Sequence, residues 1–183
     1  MSKHGIILAL DLGVALGVCL GAPGSMPESY SVRLRTPRES ADIAFATLHK
    51  LVSERLADGT ITAVVKEAPI SLDGFANLTN SQATVRTTLG YHAIVEAACV
   101  AAGVPWTEVH VTTVRKHFLG RGRFADRAEA KAAVVRRCQL LGYMPRDCAD
   151  DNQADACAVW DWAAAHVART PGAFHLFGEE AVA

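Results

Sequence analysis

No apolar run in the sequence approaches the ~20 residues that a helical membrane span needs. The N-terminal Met1-Ser2-Lys3-His4-Gly5 leads directly into a short strand-like run with no small-residue cleavage site, so the expectation is a cytoplasmic protein with no membrane partner. Paired cysteines are also lacking. Cys19, Cys99, Cys138, Cys148 and Cys157 are odd in number and scattered, with no Cys-x-x-Cys among them, which argues against a disulfide scaffold and against zinc or dithiol chemistry. His92, His110 and His117 have no zinc-like spacing and read as structural, His117 beside two basic residues being the one worth testing. Repeats, low-complexity tracts and linkers are absent. The 183 residues therefore read as one domain over 1–169 followed by a loose extension over 170–183. A net charge of −1 by itself argues weakly against a polyanionic partner.

The distribution of charge reverses that last inference. Between residues 111 and 140, Arg115, Lys116, Arg121, Arg123, Arg127, Lys131, Arg136 and Arg137 are opposed by Asp126 and Glu129 alone. From residue 147 onward the acids Asp147, Asp150, Asp151, Asp155, Asp161, Glu179 and Glu180 face a single strong base, Arg169. A basic run is often just a solvated helix face. Here Gly120-Arg121-Gly122-Arg123 sets cations on pliable backbone, which suits a phosphate chain.

Hydrophobic periodicity predicts strands at Ile6–Asp11, Leu16–Leu20, Ser29–Arg35, Ile61–Glu67 and Trp106–Val111. Helices are expected from about Pro37 to Leu56, Gln82 to Ala102, Val114 to Leu119, Arg127 to Leu141 and Asp151 to Ala168, with a breaker-rich loop over 69–81. Three strands, helix, strand, helix, strand and helices spell an α/β fold: a mixed five-stranded sheet, three antiparallel strands then two parallel, flanked by helices.

Carboxylates sit where such a sheet would gather them. Asp11 ends the first strand and Glu67 the fourth, while Asp151 and Asp155 are four apart on the last helix and so share a face. Each acid alone has an ordinary explanation: a turn residue, an exposed strand end, or a helix cap for Asp150 and Asp151. Asp155, among Ala154, Ala156, Ala158 and Val159, is the hardest to explain that way. Four converging acids repel, and the usual relief is a divalent cation. An all-oxygen donor set selects Mg2+ or Mn2+ over zinc, and a pair of such ions serves in-line displacement at a phosphodiester.

In this order the motifs resemble the RuvC family of Holliday junction resolvases, in the RNase H-like superfamily. Ile7-Leu8-Ala9-Leu10-Asp11-Leu12-Gly13 is similar to the family's first strand, and Val64-Val65-Lys66-Glu67 to its fourth. Leu89 to Ala97 resembles the helix through which these enzymes dimerise. Val114 to Gly122, followed by Ala128-Glu129-Ala130-Lys131, resembles the segment bearing two active-site lysines, and Asp151-Asn152-Gln153-Ala154-Asp155-Ala156 the final acidic helix. The divergence outside these motifs looks like that of a phage or prophage member.

The resemblance implies a homodimer, paired through residues 82–102, that nicks opposing strands of branched DNA in a bacterial cell. Asp11, Glu67, Asp151 and Asp155 would be the catalytic metal ligands, and Lys116 and Lys131 the cations at the scissile phosphate. Arg115, Arg121, Arg123 and Arg127 would hold DNA, and Phe75 would stack at the crossover or anchor its loop in the core. The family spaces its last two Asp by three, whereas this chain has Asn152 at that position; Asp151, Asn152 and Asp150 all remain open as the fourth ligand. Gly90, Ala93 and Ala97 suit either a dimer seam or ordinary core packing. Rival readings are an actin-like or sugar-kinase ATPase, through Asp11-Leu12-Gly13 and Gly17, a nuclease acting on flaps, forks or RNA hybrids, and a non-catalytic DNA-binding relative.

Overall fold

A computed structural model describes residues 5–69 and 82–167; Phe75 and the extension over 170–183 lie outside the described residues. The strands are β1 (Ile6–Asp11), β2 (Ala15–Gly21), β3 (Glu28–Arg33), β4 (Ile61–Glu67) and β5 (Trp106–Val109). They form one sheet in the order β3-β2-β1-β4-β5. β1, β2 and β3 are antiparallel neighbours, and β4 and β5 join in parallel. The helices are α1 (Ala41–Ala57), α2 (Gln82–Ala102), α3 (Val111–Leu119), α4 (Arg127–Leu141) and α5 (Asp151–His166).

Strand alternation divides the core into two layers. Leu8, Leu10, Leu16, Val18 and Val64 point to one face and pack with Leu48 and Val52 of α1 and Val95 of α2. Ile7, Ala9, Cys19 and Val65 point to the other, against Val134 of α4 and Ala154, Cys157 and Val159 of α5. Burial on both faces explains why β1 and β4 read as continuous apolar runs.

One departure from the sequence expectations, and the outcome at one position left open there, have local causes. α3 starts at Val111 because the His110 carbonyl already accepts from Thr113 N and Val114 N, at 2.9 and 3.1 Å, so β5 ends two residues early. Gly90 packs inside the chain, where a Cβ would stand 2.7 Å from the Phe45 ring of α1, so it belongs to the α1–α2 contact.

Gly17 decides how closely α5 approaches the sheet. A Cβ there would lie 2.0 Å from the Asn152 carbonyl oxygen and 3.1 Å from the Ala156 Cβ. The first turns of α5 thus rest directly on β2 backbone. This is the structural use of the glycine that the ATPase reading would spend on a phosphate hairpin.

Candidate active site

Parallel pairing of β1 with β4 brings their C-terminal ends to one edge of the sheet, with Leu10 opposite Lys66. Asp11 and Glu67 have the parity of Ala9 and Val65, and so belong to the face that carries α5. Asp11 also pairs across the ladder with Gly17, on which the Asn152 backbone sits. The residues flanking Asn152 on α5 are the remaining acids. Four carboxylates from two strands and one helix thereby come near enough to feel one another's charge, although among the described residues only His92, Glu96 and Glu108 bring three ligand atoms within 4.8 Å of one another.

Their mutual effect is visible in their proton affinities. Asp11 is held well above the usual carboxylate range, first by burial and then by the negative charges of Asp155 and Glu67; Lys131 pulls the other way and Asp151 adds to the rise. Glu67 is pushed up to about 7 by burial and by Asp155, against the relief of Arg115, Arg127 and Lys131. Asp155 is raised chiefly by burial, with Lys131, Arg115 and Arg127 opposing and Asp151 reinforcing. The donor set is all oxygen, with three raised acids that Lys131, Arg115 and Arg127 relieve only in part, a chemistry that fits Mg2+ or Mn2+.

The neighbouring residues divide clearly. Lys131 of α4 forms an ion pair with Asp151. Asp150 is occupied as the N-cap of α5: its carboxylate accepts from Asn152 N at 3.0 Å and Gln153 N at 3.1 Å, and from the Ser31 hydroxyl. Burial works against its ionised form, but these hydrogen bonds outweigh it and keep its pKa low. Asn152 donates its side-chain amide to Asp151 Oδ1 at 3.4 Å.

Arg115 is half-buried on α3, its Nε is buried with no partner, and its charge bears on both Glu67 and Asp155. Lys116 is exposed on the same helix, and the leading cations at these acids are Lys131, Arg115 and Arg127. The sequence expectation gives Lys116 the inner role and Arg115 an outer DNA contact; the helix leaves Lys116 exposed and Arg115 half-buried. Arg123 and Arg127 are exposed. Arg121 is exposed too, but it pairs with Glu129 at 2.7 Å and lies over the Phe124 ring at 4.2 Å. His117 ties α3 to α5 through Asp161 at 2.9 Å, and Asp161 also accepts from the Tyr143 hydroxyl at 2.6 Å.

A second ionic cluster lies on the other face of β4. His92, Glu96 and Glu108 offer ligand atoms all within 4.8 Å of one another, but a cation already occupies their centre. The fully buried Lys66 ammonium reaches His92 Nδ1 at 3.0 Å, Glu96 at 3.1 Å and Glu108 at 2.7 Å, and lies 4.8 Å from the Trp106 ring centre. His92 is pushed down to about 4 by burial and by the Lys66 charge, with Glu108 opposing, so it is neutral at pH 7 and its Nδ1 accepts from Lys66. The sequence clue was a lysine of core parity in a strand covered on both sides.

The same arrangement of strands and helices occurs in RuvC of Thermus thermophilus, which superposes with a TM-score of 0.64 and 20% identity over 89% of this chain and 93% of that one. The chain has the RuvC fold. A structure of T. thermophilus RuvC in complex with a Holliday junction substrate matches equally, at 0.64 and 20% over 90% and 94% of the two chains. The yeast mitochondrial Holliday junction resolvase Ydc2 matches at 0.55 and 11% identity over 89% and 81%. No family model and no curated protein matches the sequence. The RuvC fold here is thus recovered by structure at identities where sequence comparison is silent.

Proposed function

We propose that this protein is a structure-selective endonuclease that hydrolyses phosphodiester bonds at four-way DNA junctions. The observation that carries the reading is the meeting of Asp11, Glu67, Asp151 and Asp155, each raised acid feeling the charge of another. The RuvC fold supports it, because one protein of that fold has been solved on a Holliday junction.

Asp11, Glu67, Asp155 and Asp151 would hold the Mg2+ or Mn2+ ions, two per site. Bound there, such ions activate water and stabilise the leaving oxygen. The chain's own residues do the rest. Lys131 and Arg115 lie among the acids and neutralise the scissile phosphate as negative charge builds on it. Lys131 is paired with Asp151, so phosphate and carboxylate would compete for one ammonium. Attack of water breaks the bond from phosphorus to the 3′ oxygen; water's proton leaves to solvent, the 3′ oxygen gains one, and the nick keeps the 5′-phosphate and 3′-hydroxyl that ligation requires. Arg127, whose charge also bears on Glu67 and Asp155, stands between the acids and solvent, Arg123 and Lys116 supply outer phosphate contacts, and Arg121 stiffens the loop before α4.

Two coordinated nicks need two sites, and α2 supplies a seam for a homodimer. Leu89, Ala93, Ala97 and Val100 are exposed at helical spacing, with Leu89 40% and Val100 53% accessible, forming an apolar stripe on an outward face.

The test compares wild type and Asp11→Asn with Mg2+ on a four-way junction, a flap, a fork, an RNA–DNA hybrid and plain duplex. Symmetric nicks confined to the junction, lost in the variant while binding persists, are expected. Preference for a flap, fork or hybrid reassigns the substrate, and tight junction binding without cleavage makes the protein a non-catalytic binder.

A further inference from the structure

Across the sheet from the acids, the β1–β2 turn, the segment after β3 and the first half of α2 enclose a cavity of about 380 Å³. Gly13, Val14, Arg35, Thr87, Thr88 and Tyr91 are among its walls. Gly13 and Val14 follow closely on Asp11, so the cavity and the carboxylates flank the same turn, one on each face.

The chemistry of the lining is specific. Among the described residues three buried side-chain polar atoms have no hydrogen-bond partner of good geometry: Arg115 Nε at the acids, and Arg35 Nε and Tyr91 Oη here. Tyr91 is only 2% exposed; burial pushes its phenol up, while the Arg35 charge and a side-chain hydrogen bond from Arg35 oppose that rise, which leaves the phenol proton without an acceptor. Arg35 stands beside it, and its orientation is set from outside: Nη1 donates to the Glu39 carbonyl at 2.9 Å and to the Thr36 carbonyl at 3.4 Å. Glu39, the acid in the wall, has its carboxylate engaged by Thr36 N at 2.6 Å. Thr87 donates its hydroxyl to the Ala83 carbonyl at 2.8 Å, which leaves the oxygen as an acceptor only. Arginine Nε can only donate, and the tyrosine hydroxyl next to it has a proton to give. Two convergent donors, one on a full positive charge, ask for an oxyanion.

We propose that this cavity is a second phosphate subsite, which seats a non-scissile backbone phosphate of the DNA strand whose neighbouring phosphate lies at the acids. It rests on the nuclease reading and deepens it. A strand crossing the β1–β2 turn has one phosphate over Asp11 and the next ones over Arg35 and Tyr91. Anchoring both sides of the turn fixes which bond reaches the carboxylates, so the subsite sets the position of the nick without reading a base.

Tyr91→Phe and Arg35→Gln test this in the Asp11→Asn background, where DNA binds without being cut. Junction affinity is followed by fluorescence anisotropy over a salt series, and stability by thermal melting. Tyr91→Phe removes a hydroxyl whose one partner in the fold is Arg35, so it should melt within a few degrees of the parent yet bind the junction roughly 3–10-fold more weakly. Arg35→Gln should flatten the plot of log affinity against log salt by about 0.9, the loss of one phosphate contact. In the cleaving background both variants should spread the nick over neighbouring phosphates. Affinity, salt slope and nick position unchanged in both variants would overturn the subsite and leave the nuclease intact. A parent protein that binds no branched DNA overturns the nuclease reading and the subsite with it. A third outcome, inorganic phosphate raising the melting temperature of the parent but not of Arg35→Gln at matched ionic strength while DNA binding stays equal, assigns the cavity to a free anion and refutes the DNA role.

Discussion

Gly17→Ala should disable the site from a position that touches no substrate. The added Cβ meets the Asn152 carbonyl oxygen at 2.0 Å and its carbon at 2.7 Å, where ordinary contact begins at 3.4 Å. Both obstacles are backbone, so neither can rotate away, and the first turn of α5 must retreat by about 1.4 Å. Asn152 lies between Asp151 and Asp155, so both acids retreat with it while Asp11 and Glu67 stay on their strands. Overpacking of this kind costs about 1–3 kcal/mol, or roughly 2–12 °C of melting temperature in a chain of this size. Misplacing catalytic groups by ~1 Å costs about 10²-fold in rate, far more than the fraction unfolded could explain. Single-turnover cleavage of a labelled junction at saturating Mg2+, read beside junction affinity and the melting curve, separates the two effects. Leu48→Ala serves as the control, since it loosens the opposite core layer by about 2–5 kcal/mol without touching α5. A Gly17→Ala protein that is folded and cuts at the wild-type rate would falsify the claim that close approach of α5 to β2 assembles the site.

The remaining expectations can be tested together. Arg115→Ala should slow cleavage roughly 10²-fold and Lys116→Ala by only a few-fold, because Arg115 is a leading cation at Glu67 and Asp155 while Lys116 is exposed; the reverse order in single-turnover rates would return the inner role to Lys116. In the presence of a chelator, stability should fall as pH rises from about 4.5 to about 7, because folded Glu67 holds its proton up to about 7 against an ordinary 4.5 and the unfolded chain ionises first. Keeping Glu67 ionised costs at most about 3 kcal/mol, Asp11 and Asp155 act in the same sense, and Mg2+ should reverse the loss; a melting temperature independent of pH in this window contradicts the reading. On the far face of β4, Glu96→Gln combined with Glu108→Gln strands a fully buried ammonium and should cost about 3–5 kcal/mol, more than Lys66→Met, which leaves carboxylates 36% and 43% exposed; equal losses in chemical denaturation would refute the asymmetry.

The sequence carried the sheet well, because strands covered on both faces leave unbroken apolar runs and each of the two that matter stops on an acid. The four-residue spacing of Asp151 and Asp155 likewise needed only helix geometry to predict one face. What could not be read locally depends on which way a helix is rolled: Arg115 and Lys116 differ by 100° of rotation, and the packing of Val114 and Phe118 into the core sets which one turns inward. Asp150 looked like a ligand or a cap until Ser31, over a hundred residues away, was seen to join its own helix amides in filling its carboxylate. Arg35 and Tyr91 escaped notice for the same reason, since their meeting is made by packing α2 beside the segment after β3.

Lys66 and Glu67 are consecutive, yet one is sealed beneath α2 with two carboxylates and the other stands among the acids. Because the strand sends successive side chains to opposite faces, the insertion or deletion of one residue in β4 would exchange them. A lysine would then take the place of one of the four acids, and a glutamate would enter a pocket already holding Glu96 and Glu108. Slippage therefore incurs two electrostatic errors at once, in addition to the inverted hydrophobic pattern. The pair works as a polarity key: a lysine sealed on one face guarantees that its neighbour always joins the acids on the other.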